Sequence, residues 1–116
     1  MAKLPNAGAA FIDPRKIAGY LLSTAHPRGR SKAIFFMRLG FSASQPEIMA
    51  RALFDHARRH DLAGLMETPY GIHYIIEGAL ETPDRRNPLI RAIWVIKSGE
   101  TAPRFVTATP IGRGKK

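Results

Sequence analysis

The densest group of side chains able to act on a phosphate is His26-Pro27-Arg28-Gly29-Arg30-Ser31-Lys32. There an imidazole, two guanidiniums, a hydroxyl and an amine surround one glycine. Imidazole titrates near neutral pH without heavy perturbation, so His26 is the leading candidate proton carrier. Arg28, Arg30 and Lys32 stand where a helix is expected to begin, and the unpaired N–H groups of a helix start favour an anion. One phosphate there can accept main-chain bonds and fork-like guanidinium bonds together, with Ser31 in the same stretch. The order Gly29-Arg30-Ser31-Lys32 is not that of a P-loop, which places lysine before Ser/Thr and a glycine further upstream. The plainer alternative is a loop solvated by its own arginines.

Other groups stand further along the chain. Arg85 and Arg86 crown a loop and Arg104 begins a strand, so three guanidiniums are expected to fringe one sheet edge, where they would hold phosphate or steady a pentavalent intermediate. Thr107 and Thr109 alternate along that last strand; a hydroxyl there can orient phosphate oxygens, although threonine also simply favours strands. His73 and Glu77 share one strand face, either as acid and base partners or as two residues of a solvated surface. His56 and His60 lie four apart on a helix, the spacing of a two-histidine metal pair, but no third ligand accompanies them. No metal or other cofactor is therefore expected. Trp94 and Phe35-Phe36 read as core.

Bulk composition narrows the partner. Eighteen Lys and Arg against nine Asp and Glu give +9, and the excess is concentrated in residues 1–58, which carry nine basic and three acidic groups against nine and six in 59–116. Such a field attracts polyanions, RNA or another nucleic acid or an anionic membrane. Without cysteine, disulfides, thiolate nucleophiles and sulfur-based zinc sites are excluded. No apolar run approaches the roughly 18 residues of a spanning helix, and Met1–Pro5 lacks a signal peptide's apolar stretch, so a cytoplasmic protein with no membrane partner is expected.

The elements that must position these groups follow from periodicity. Residues 1–12 are small and Gly/Ala-rich and read as a loosely attached arm. Asp13-Pro14 opens a helix at about 14–22. A second helix runs from near Ser31 to about Gly40. Ser44-Gln45-Pro46-Glu47 reads as a capping box for a third, about 45–60, with Ile48, Met49, Ala52, Leu53 and Ala57 as its apolar stripe. Strands are expected at 62–68, 72–80, 89–97 and 104–109, the third apolar enough to be central. Loops of two to eight residues cannot cross a sheet, so the strands form an antiparallel meander. One α+β domain over 13–110 results, about three helices on one face of a four-stranded antiparallel sheet, followed by a basic tail at 111–116.

The string from His26 through Phe36, then Leu39-Gly40-Phe41, resembles a family of small uncharacterised bacterial domains marked by HPxGRxKAxFFxxLGF. Gly71 to Leu80, Ile93-Trp94-Val95-Ile96 and Pro103 to Pro110 are distantly similar to the closing strands of the barnase–EndoU–colicin–RelE ribonuclease toxins. That second likeness implies a barnase- or RelE-like fold and metal-independent RNA cleavage by the ribose 2′-hydroxyl. It makes His26 base or acid, Arg30 and Lys32 phosphate holders, and Arg86 and Thr107 supports across the sheet, without a second histidine or glutamate where such proteins carry one. The catalytic candidates are thus His26, Lys32, Arg86 and Thr107, and the phosphate-binding candidates Arg28, Arg30, Ser31 and Arg104. Toxins of this kind meet an acidic antitoxin, a partner that +9 would steer in. The competing expectations are a non-catalytic nucleic-acid-binding module and a small protein-interaction domain.

Overall fold

Asp13 opens the first helix as its spacing predicts: Oδ1 accepts the Arg15 N–H at 2.9 Å, and Pro14 fills the first helical position. The computed structural model describes residues 2–25 and 29–111. Helix α1 (Pro14–Lys16) widens at once into a π-helical turn, Ile17–Leu21, that buries Ile17 and Leu21. Helix α2 (Arg30–Arg38) buries Ala33 and Phe36 and stops at Gly40, whose φ of +104° favours glycine. A Cβ on Gly40 would also sit 2.7 Å from the Pro83 Cβ.

Helix α3 (Pro46–Arg59) departs from expectation at its start and along its stripe. Gln45 is the cap residue and makes no side-chain bond, while Ser44 is bonded to Ser42, so the expected capping box does not form. Proline at position 46 sets the helix start one residue past the serine. The buried stripe is Met49, Ala52, Leu53, His56 and Ala57, with Ile48 exposed. The apolar face keeps four of the expected positions, loses Ile48 and gains His56.

Strands β1 (Leu62–Thr68), β2 (Gly71–Ala79), β3 (Leu89–Lys97) and β4 (Arg104–Pro110) form an antiparallel sheet in the order β1-β2-β3-β4. Three helices and this meander make the expected α+β fold. Tyr74 lies opposite Trp94, Ile76 opposite Ala92, Trp94 opposite Phe105 and Ala92 opposite Ala108, and all of these pack into the core with Phe36, Met49 and Leu53 of the helices. The opposite face carries His73, Ile75, Glu77, Arg91, Ile93 and Thr109, half-buried or exposed.

A bulge decides which face Thr107 joins. Trp94 pairs with Phe105 but Ile93 with Thr107, so Val106 is an extra residue in β4. Without it Thr107 would fall opposite Ala92, a core position; with it Thr107 pairs with Ile93, at the margin of the sheet where Lys32 reaches it.

Residues 2–12, expected as a loose arm, are tied along the domain. Leu4 is buried in the core, the Ala2 carbonyl accepts from Leu62 N–H at 2.8 Å, and Phe11 exchanges backbone bonds with Pro103 and Phe105 at 3.0 and 3.1 Å. Among the described residues no helix is long and apolar enough to cross a membrane.

Candidate functional site

Lys32 lies on the first turn of α2, one residue before the buried Ala33, so its stem runs half-buried toward the edge of β4. Its ammonium donates to Thr107 Oγ1 at 3.1 Å and to the Tyr20 hydroxyl at 3.2 Å, and lies 5.0 Å from the centre of the Tyr20 ring. Two of its three protons are thereby aimed and the third remains for another acceptor. Each partner arrives from an irregular stretch of backbone: Tyr20 from the π-helical turn and Thr107 from the strand just after the bulge. Such local irregularities re-aim side chains at functional positions.

The cluster alters the phenol. Hydrogen bonds from Thr107 and then from Lys32 hold the Tyr20 hydroxyl below the usual tyrosine range, with the charges of Lys32 and Lys16 acting in the same direction. The Lys16 ammonium stands 5.7 Å from the same ring centre. A fixed ammonium beside an acidified hydroxyl can stabilise an oxyanion and move a proton at one place.

The remaining sequence candidates are distributed around this cluster unevenly. Arg30, exposed on the same helix start, donates from Nε to the Thr24 carbonyl at 3.2 Å. His26 and Arg28 lie outside the described residues. Ser31 and Arg86 line a different hollow of about 440 Å³ with Ile34, Phe35, Arg38 and Leu39. Arg86 there donates to the Arg38 carbonyl at 3.0 Å and pairs with Asp84, which closes the C-terminal end of α2.

Register corrects the expectation that Arg85, Arg86 and Arg104 share a sheet edge. Ala79 opposite Leu89 marks the end of the sheet nearest the loop that carries Arg85 and Arg86, whereas Arg104 pairs with Val95 toward the other end. Arg104 instead stacks 4.9 Å over the Phe11 ring and binds Glu100 through two nitrogens at 3.2 Å.

The histidines divide in the same way. His56 Nε2 is 3.1 Å from the Gly78 carbonyl and His60 Nε2 is 2.9 Å from that of Ala79, with the rings 4.8 Å apart, so both imidazoles are turned onto β2 backbone. Among the described residues no three His, Asp or Glu side chains stand together as a metal site. His73 and Glu77 do lie on one face, yet Glu77 is held by Arg91 at 2.7 Å. Tyr20 is the member of the cluster that the sequence reading missed. Its spacing from Ile17 reads as part of an apolar stripe, and no sequence signal ties it to Lys32 or Thr107.

A family model described as a domain of unknown function (DUF6883) matches residues 3–112. Among solved structures, a chain of a contact-dependent growth inhibition toxin–immunity protein complex from Klebsiella pneumoniae 342 is similar. Its TM-score is 0.66 at 16% sequence identity, with 86% of this chain and 98% of that chain covered. At that identity the likeness is one of fold. No protein of curated function matches the sequence.

Proposed function

We propose that this chain, which belongs to the DUF6883 family, is a toxin-like ribonuclease that cleaves RNA without a metal. The observation that carries the reading is the Lys32 ammonium held between Tyr20 and Thr107 at the start of a helix, on a chain of net charge +9. The fold likeness to a chain of a toxin–immunity complex supports it. So do the HPxGRxKAxFFxxLGF-like string leading into α2 and the helix-then-sheet order shared with barnase–EndoU–colicin–RelE toxins.

The reaction needs a base, an acid and a cation. The ribose 2′-oxygen bonds to the adjacent phosphorus as its proton passes to the base. The bond from phosphorus to the 5′-oxygen then breaks, and the acid protonates that oxygen. A 2′,3′-cyclic phosphate and a 5′-hydroxyl result. Lys32 holds the non-bridging oxygens and offsets the charge of the phosphorane, and Thr107 and Tyr20 keep its ammonium in place. His26 takes or returns a proton, Tyr20 is the second group suited to that task, and Arg30 flanks the phosphate. An acidic protein partner, antitoxin or immunity protein, fits the same positive surface.

Labelled RNA incubated with purified protein in EDTA tests this. The expected product carries a 2′,3′-cyclic phosphate and is lost in His26→Ala and Lys32→Ala. RNA binding without product would make the chain a non-catalytic nucleic-acid module, and neither binding nor product would make it a protein-interaction domain.

A further inference from the structure

A groove of about 230 Å³ opens beside the cluster, between residues 11–16 and the ends of β3 and β4, lined by Phe11, Asp13, Lys16, Val95, Lys97 and Arg104. Its floor includes Phe105 and Val106, the two residues before Thr107. Lys16 belongs to both places: it lines the groove and its ammonium faces the Tyr20 ring, whose hydroxyl binds Lys32. A cationic track therefore leads from Lys32 past Lys16 to Lys97.

The acids nearby are already engaged. Arg15 grips the Asp13 carboxylate at 2.7 and 3.1 Å, and Glu100 is bonded to Arg104. Among the described residues no carboxylate lies within 4.0 Å of the Lys16 or Lys97 ammonium. The volume falls below the ~300 Å³ at which pockets begin to hold whole small molecules, so a phosphate with the edge of its ribose fits better than a complete nucleotide. The flat wall made by Arg104 stacked on Phe11 suits a sugar or base packed alongside.

We infer that this groove is a subsite for the backbone phosphate of the nucleotide next to the scissile one, a deepening of the ribonuclease reading on which the word scissile rests. Binding, rather than cleavage, tests it. Two non-cleavable 2′-O-methyl oligonucleotides, a dinucleotide and a hexanucleotide, are titrated by fluorescence anisotropy at several salt concentrations. Lys16→Ala/Lys97→Ala is expected to weaken the hexanucleotide about tenfold and lower its log K versus log salt slope by about 0.7 per cation removed, while the dinucleotide keeps its wild-type affinity. Lys97→Gln alone, at an exposed position that packing does not need, is expected to show half that change in slope.

An unchanged hexanucleotide slope, or equal weakening of both oligonucleotides, overturns the subsite. If the double variant behaves as expected while the wild-type protein forms no cyclic-phosphate product in EDTA, the groove stands as a phosphate site and the ribonuclease reading falls. If cleavage occurs but the double variant binds like wild type, the reverse holds.

Discussion

Two polar clusters sit in this small domain, and their bonds run in opposite directions. His56 and His60 are turned inward onto the carbonyls of Gly78 and Ala79, so both rings serve to fasten α3 to β2. Lys32, Tyr20 and Thr107 are bonded chiefly to one another, at the rim of the sheet, with donor capacity left over. Burial sets His56 apart: it is 2% exposed, whereas His60 and the members of the second cluster are half-buried. A buried imidazole turned onto a strand carbonyl is held by the fold and screened from solvent, even with His56 Nδ1 left without a partner. A titratable group held by other side chains keeps capacity for a ligand, and that contrast is the ground on which chemistry is proposed for the second cluster rather than the first.

Removing the inward cluster should therefore damage stability alone. His56→Ala leaves a cavity and an unpaired Gly78 carbonyl, an expected loss of about 3 kcal/mol seen as a lower Tm, with RNA affinity unchanged at temperatures where the variant is folded. Affinity that fell with the same variant would erase the distinction between the clusters.

The same histidine predicts an acid sensitivity. Burial pushes the His56 imidazole from its ordinary 6.5 down to about 4, with the His60 charge adding to the push and the Gly78 carbonyl opposing it. Between those values the unfolded chain binds a proton that the folded chain refuses. Stability is thus complete above pH 6.5 and falls as pH drops toward 4, by an amount on the order of 3 kcal/mol. Urea melts across that window should show the decline, and His56→Gln should flatten it.

Smaller perturbations sharpen the picture at each cluster. A Cβ on Gly78 would stand 2.5 Å from the His60 ring, so Gly78→Ala should displace that ring and cost about 2 kcal/mol, measured by thermal melts. At the outward cluster Thr107→Val keeps the strand residue's shape and deletes one anchor of the ammonium. RNA cleavage should fall about tenfold, equivalent to ~1.4 kcal/mol, with Tm nearly unmoved.

Much of the frame was legible in the order of residues because the frame is made by apolar periodicity and short loops. The runs around Ile76 and Trp94 gave strands, the latter apolar enough to be central, the brief connections forced a meander, and Asp13-Pro14 marked a helix start that its side chain does cap. What escaped depends on single insertions in backbone geometry. The π-helical turn delivers Tyr20 and the Val106 bulge delivers Thr107, and neither leaves a mark in composition. Arg86 read as a catalytic candidate, and its bond to the Arg38 carbonyl escaped because it depends on where α2 happens to end. Residues 2–12 looked loose because they are held by backbone bonds, by Leu4 and by single side-chain bonds from Lys3 and Asn6 to distant carbonyls, none of which shows as a periodic pattern.

The central claim is that the Lys32 ammonium acts on RNA rather than on the fold, and the initial rate of cyclic-phosphate formation in EDTA by Lys32→Ala beside wild type tests it most directly. A drop of about a hundredfold or more is expected, the scale of losing one preorganised donor to a developing oxyanion, in a variant whose Tm stays within a few degrees. Equal rates from the two proteins, or a rate loss that merely follows unfolding, would contradict it.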